Sequence, residues 1–135
     1  MSLVQEQSEF LKDLILLLQF IYRKGWIVTG GELFRPQEMQ ELYYRRGLTK
    51  TLKSWHKHKL AIDLNFFKPV PAISTGKDIV VVNNRKYQLT YNKKELQIFG
   101  DFWESLNRKN RWGGNFKFVD VIHFERRPRI GKKKK

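Results

Sequence analysis

The chain carries three histidines, His56, His58 and His123, and no cysteine. Two of the histidines stand near carboxylates at informative spacing. In Ser54-Trp55-His56-Lys57-His58-Lys59-Leu60-Ala61-Ile62-Asp63-Leu64 a histidine just precedes an expected strand, and an aspartate lies inside that strand. In Asp120-Val121-Ile122-His123-Phe124-Glu125 a carboxylate precedes a histidine on an expected closing strand. Without thiolates, a metal can be held only by imidazole and carboxylate. A catalytic zinc takes three protein ligands and keeps one position for water. His56, Asp63 and His123 make such a set, and the cofactor this reading calls for is Zn2+. Asp120 is then left over beside His123, where a free carboxylate can serve as general base. Together these are the minimum kit for metal-assisted amide hydrolysis. Asp63 points the same way on its own. It sits between Ile62 and Leu64 in an apolar run, and a buried carboxylate needs a cation, a hydrogen-bond cluster or a metal.

The elements that must position these residues can be traced along the chain. Residues 8–24 read as a mostly buried helix with Ser8 as cap, apolar Phe10, Leu11, Leu14, Leu17, Leu18 and Ile21 at helical spacing, and Gly25 as stop. Ile15 and Leu16 widen its apolar stripe. A short strand over 26–29 ends at Gly30-Gly31. Pro36 opens a second helix that runs to Arg46 and stops at Gly47. Residues 48–53 read as loop, 60–66 as a buried strand, and 68–77 as a loop holding two prolines. Ile79 to Thr90 reads as a hairpin turning at Asn83-Asn84. Asn92 caps a third helix with Leu96, Phe99, Trp103 and Leu106 on its apolar face, Glu95 standing three residues on from the cap. Trp112-Gly113-Gly114 is a turn, and 116–124 is expected to be the last strand.

Composition bounds the partners. The 135 residues fit one domain, expected over 1–126, with a basic C-terminal tail over 127–135. Lys and Arg total 27 against 13 acidic residues, a formal charge of +14, which suits a polyanionic partner such as nucleic acid, an anionic membrane or a bacterial wall. The greasy run Leu14–Leu18 is too short to span a bilayer and follows acidic residues rather than a basic leader. The expectation is a chain made in the cytoplasm without a signal peptide, with no transmembrane segment, acting as a monomer.

The pattern Ser-x-His-x6-Asp, followed near the C-terminus by Asp-x-x-His-Phe-Glu, resembles the zinc peptidases of the D-Ala-D-Ala carboxypeptidase and L-alanyl-D-glutamate endopeptidase family. The likeness extends to Gly31-Glu32-Leu33-Phe34-Arg35-Pro36-Gln37-Glu38-Met39-Gln40, to Leu42-Tyr43-Tyr44 through Gly47-Leu48-Thr49-Lys50, and to Trp112-Gly113-Gly114-Asn115-Phe116. It covers about residues 25–67 and 95–126, leaving the hairpin between them unplaced. The resemblance implies an α+β fold, a small antiparallel sheet with flanking helices, shared with the hedgehog signalling domain. It implies zinc on His56, Asp63 and His123, and Asp120 as catalytic base. Many family members carry Glu at that position, and endolysin-like ones often carry Asp. It also implies that Arg35 polarises the scissile carbonyl or holds a substrate carboxylate, and that Ser54 is a nearby hydrogen-bonding residue for substrate. One position departs: the family commonly has glycine where Lys59 stands.

The function so implied is hydrolysis of an amide bond in the peptidoglycan stem peptide. Size, charge and the absence of a leader favour a phage-type endolysin cutting L-Ala-D-Glu, reaching the wall after release from the host cytoplasm and drawn to the anionic envelope. The alternative within the family is a D-Ala-D-Ala carboxypeptidase. The alternative from another class is a basic nucleic-acid binder stacking bases on Phe66, Phe67, Trp103, Trp112 and Phe116; a metal-binding but inactive relative is a third reading, against which Asp120 stands. Other residues have plainer readings: His58 exposed, Glu125 in a structural hydrogen bond or salt bridge, and Trp112 in packing.

Overall fold

The computed structural model describes residues 1–31, 33, 36–47 and 54–128. Of the expectations above, Arg35, the loop over 48–53 and the tail from residue 129 onward lie outside the described residues.

The first helix, α1 (Leu3–Arg23), starts earlier than the apolar spacing suggests. The Ser2 hydroxyl accepts the Gln5 amide while the Gln5 side chain accepts the Ser2 amide, a reciprocal capping box that leaves Ser8 inside the helix. The helix is also less buried than expected. Phe10, Leu14, Leu17 and Ile21 form one inward stripe, whereas Leu11, Ile15 and Leu16 are exposed. These three fall outside the arc that a single packed face can cover. Gly25, at φ +85°, ends the helix as expected.

β1 (Ile27–Gly30), α2 (Gln37–Arg45) and a single 3-10 turn over Trp55–His58 follow. Then come β2 (Ala61–Pro69), β3 (Ile79–Val82), β4 (Arg85–Thr90), α3 (Lys93–Leu106), β5 (Asn110–Trp112) and β6 (His123–Arg126). β2 continues to Pro69, into the segment expected to be loop. The hairpin forms as expected, with Asn83 and Asn84 both at positive φ, the geometry a two-residue turn demands. Asn92 caps α3 by accepting the Glu95 amide. The Glu95 carboxylate does not close a capping box. It pairs instead with Lys68 and accepts the Thr90 hydroxyl, tying α3 to β2 and β4.

The strands form one six-stranded antiparallel sheet in the order β3-β4-β2-β6-β5, with β1 also paired to β2. The fold is therefore α+β, as expected. β2 is the central strand and period-2 alternation sorts its side chains. Leu64 and Phe66 join Phe124, Trp112, Phe10, Leu14, Leu17, Leu96, Phe99 and Trp103 in the core between sheet and helices. The intervening residues, Asp63 among them, turn to the other face.

The final strand is shorter than expected. Residues 116–122 are not strand, because Gly113 folds the segment back: its carbonyl accepts the amides of Phe116 and Asp120. Phe118 and Val119 are exposed in the resulting bend. At the end of β6, Arg126 is 1% exposed. It donates from Nε to Glu6 of α1 at 2.7 Å, and Glu6 also accepts from Lys109 at 3.0 Å. Burial alone would raise the Glu6 carboxyl, but these two cations hold it below its ordinary value. A buried ion pair thus fastens the first helix to the last strand. Among the described residues, no helix is long and apolar enough to cross a membrane.

Candidate metal centre

Register brings the site together. Asp63 of β2 pairs with His123 of β6, Ile62 with Phe124, and Ala61 with Glu125. Directly opposed residues share a face. Ile62 and Phe124 pack toward the core while Asp63, His123 and Glu125 occupy the opposite side. His56 is delivered by the 3-10 turn just before β2. The Ser54 hydroxyl caps that turn by accepting the His56 amide at 3.2 Å. The turn leaves through Lys59 in the left-handed region at φ 58° and ψ 39°. This is the position at which the resembled family commonly has glycine, and a left-handed exit is the physical reason for one.

Both imidazoles are fixed from behind. His56 Nδ1 lies 3.0 Å from the Leu33 carbonyl, so it donates there and turns Nε2 inward. His123 has Nε2 2.7 Å from Glu125 Oε1 and Nδ1 3.3 Å from Asp63 Oδ1. His56 Nε2 also lies 3.3 Å from Asp63 Oδ1. That approach is not directed as a hydrogen bond, and His56 Nε2 is a buried nitrogen without a hydrogen-bond partner. The three ligand atoms lie within 4.8 Å of one another.

This arrangement fits a divalent ion. A tetrahedral zinc at about 2.0–2.1 Å from nitrogen and oxygen ligands has ligand atoms about 3.3 Å apart. The two distances to Asp63 Oδ1 match that edge, both at 3.3 Å. The orphaned His56 nitrogen is the stronger sign, since an unpaired buried acceptor is costly unless something binds it.

The charges respond to this crowding. Burial pushes the Asp63 carboxyl up, but contacts from His123 and His56 outweigh it and hold the group down at about 2. Burial pulls His123 down, but the Asp63 and Glu125 carboxylates prevail and raise it to about 9. Glu125 is buried, and His123 and Arg127 keep its carboxyl below the ordinary value. Asp120 moves the opposite way. Burial raises its carboxyl and the Asp63 charge adds to this, against the opposing pull of His123, His56 and the Ile122 amide.

Asp120 is half-buried in the bend before β6 and held by its backbone. Its amide donates to Gly113 at 2.9 Å and its carbonyl accepts from His123 at 3.2 Å. A side chain at Gly113 would place a Cβ 2.1 Å from the Asp120 carbonyl oxygen and 3.0 Å from the His123 Cβ. The Trp-Gly-Gly turn is therefore a spacer that sets the distance between Asp120 and His123.

The structure thus brings His56, Asp63 and His123 together, with Asp120 adjoining. Ser54 is seen as the cap of the turn carrying His56. His58 is exposed. Glu125 makes the hydrogen bond the sequence suggested, and its partner is a candidate ligand. Its signal was alternation: two residues apart on one strand, His123 and Glu125 must share a face. The Leu33 carbonyl left no such signal, because backbone groups carry none in the sequence. Phe66, Trp103 and Trp112, three of the aromatics that a base-stacking surface would use, are fully buried in the core.

A sequence model of the D-alanyl-D-alanine carboxypeptidase family matches residues 47–126, more than half of the chain. The stretch includes all three candidate ligands, Asp120 and the hairpin. A search of curated protein sequences finds no match to the chain. Among solved structures, the Serratia marcescens L-Ala D-Glu endopeptidase ChiX is similar in fold, with a TM-score of 0.62 and 18% identity. The alignment covers 88% of this chain and 78% of that one.

Proposed function

The chain belongs to the D-alanyl-D-alanine carboxypeptidase family, and on that premise we propose that it is a zinc peptidase hydrolysing an amide bond in the peptidoglycan stem peptide. The observation that carries the reading is the convergence of His56 Nε2, His123 Nδ1 and an Asp63 oxygen, with the buried His56 nitrogen lacking a hydrogen-bond partner. An ion held there supplies a Lewis acid for the scissile carbonyl and a water whose pKa falls to about 7. Asp120 takes the proton of the attacking water and returns it to the leaving amine. Burial raises its carboxyl above the ordinary aspartate value, the direction that helps a base give the proton back as an acid. Arg35 would steady the carbonyl oxygen or a substrate carboxylate. Ser54 spends an oxygen lone pair on the His56 amide and keeps its O–H to donate to substrate.

Within this reading the bond cut is L-Ala-D-Glu, supported by the fold likeness to an endopeptidase of that specificity. The terminal D-Ala-D-Ala bond is the second reading, favoured by the name of the matching family. The charge of +14 supports a phage-type endolysin drawn to an anionic envelope, an attraction that salt weakens. Mass spectrometry of muropeptides after digestion of purified sacculi tests the reading. New N-terminal D-Glu marks the endopeptidase and free D-Ala the carboxypeptidase. Intact stem peptides, after treatment with zinc-loaded protein, would overturn both.

A further inference from the structure

We propose that Glu125 is the positioning residue of the metal centre, fixing His123 so that its Nδ1 lone pair faces the ion, and that Arg127 and Phe116 hold Glu125 in place. The inference rests on the reading of His56, Asp63 and His123 as ligands. Four side chains close a ring. Glu125 Oε1 lies 2.7 Å from His123 Nε2. Glu125 Oε2 accepts from Arg127 Nε. The Arg127 guanidinium sits 5.1 Å above the Phe116 ring, and that ring is 5.7 Å from the His123 ring. Glu125 is 4% exposed, so this carboxylate is held in the protein interior for a purpose that solvent does not serve.

Neutral imidazole carries one proton on one of two nitrogens. Here the nitrogen aimed at the pocket is Nδ1, so the proton must reside on Nε2. An acceptor at Nε2 selects that tautomer and also resists a half-turn of the ring, which would put carbon where Nδ1 stands. A carboxylate does this more strongly than a carbonyl, because its charge raises the electron-donating power of the ring. The two candidate histidine ligands differ in this respect: His56 is backed by the neutral carbonyl of Leu33, His123 by a charged group. His56 is set by the turn that carries it. His123 lies on a four-residue strand whose preceding bend is exposed at Phe118 and Val119, so its ring depends more on a side-chain partner.

The test compares wild type with Glu125→Gln and Glu125→Ala. Zinc affinity is read by competition with a chromophoric chelator, and the visible absorption of the cobalt-substituted protein reports the ligand field. Glu125→Ala should weaken zinc binding by about 10–100-fold and alter the cobalt spectrum. Glu125→Gln, whose amide oxygen still accepts from Nε2 but lacks the charge, should fall between. If wild type binds one zinc and both variants bind within about twofold of it, the proposal is overturned while the metal centre stands. Where circular dichroism shows Glu125→Ala to be unfolded, Glu125→Gln decides: several-fold weakening supports the proposal and wild-type affinity overturns it. Failure of wild type itself to bind zinc removes the metal centre, and this inference with it.

Discussion

Metal uptake by this protein should expel a proton. In the metal-free state His123 is held by Asp63 and Glu125 and keeps its proton up to about pH 9. At neutral pH the ring is therefore almost wholly imidazolium, and its Nδ1 has no lone pair to offer. Two pH units below that value, freeing the nitrogen costs about 3 kcal/mol, on the order of 100-fold in apparent affinity. Zinc affinity should accordingly rise about tenfold between pH 7 and pH 8. Calorimetry at pH 7 in two buffers of different ionisation enthalpy should count at least about one proton released per zinc. Stability follows with the opposite sign. A histidine raised from its ordinary 6.5 to about 9 stabilises the fold fully below 6.5 and ceases to do so as pH climbs through 9. The metal-free protein should lose about 3 kcal/mol across that window, while the zinc-loaded protein should not. Affinity that is flat from pH 7 to pH 8, with no proton released, would refute the pairing of His123 with two carboxylates.

Other perturbations separate chemistry from scaffold. Asp120→Asn should retain zinc and lose about 10²–10⁴-fold in hydrolysis of sacculi, by turbidity; full activity would remove Asp120 from the mechanism. Glu6→Ala leaves the buried Arg126 cation only the more distant Asp13 carboxylate, at 3.9 Å, and should cost about 3–5 kcal/mol in chemical denaturation. The Glu6 pair contributes fully above the ordinary carboxyl value of 4.5 and is lost as pH falls through its lowered native value, so wild type should weaken in acid more steeply than the variant. Gly113→Ala should depress activity by displacing Asp120, even where the melting curve shows a folded protein. Lys59→Gly should raise stability by up to about 1 kcal/mol in a thermal melt, because glycine enters the left-handed region without strain, and should leave zinc affinity unchanged.

The candidate site was legible because its chemistry is rare in this chain. With three histidines and no cysteine, few ligand sets exist, and Asp63 stood out as a charge within an apolar strand. Alternation then carried His123 to the same face once β2 and β6 were paired. The hairpin was legible from the strand-like runs on either side of Asn83-Asn84. What escaped was long-range. No local pattern joins Glu6 to Arg126, 120 residues apart, so the burial of Arg126 could not be read; the early start of α1 did have a local signal, Ser2 and Gln5 at capping-box spacing. The bend over 116–122 escaped because its cause, the close approach of Gly113 to Asp120, exists only in the fold. The exposure of Leu11, Ile15 and Leu16 shows the limit of periodicity: spacing gives the apolar residues of a helix but not how wide an arc the sheet covers.

The most direct measurement is anomalous diffraction at the zinc edge from crystals of the zinc-loaded protein. The expectation is one peak bonded at about 2.0–2.2 Å to His56 Nε2, His123 Nδ1 and an Asp63 oxygen, with a water completing the shell on the side of Asp120. A peak elsewhere, or one bonded to His123 through Nε2 with Glu125 displaced, would contradict it.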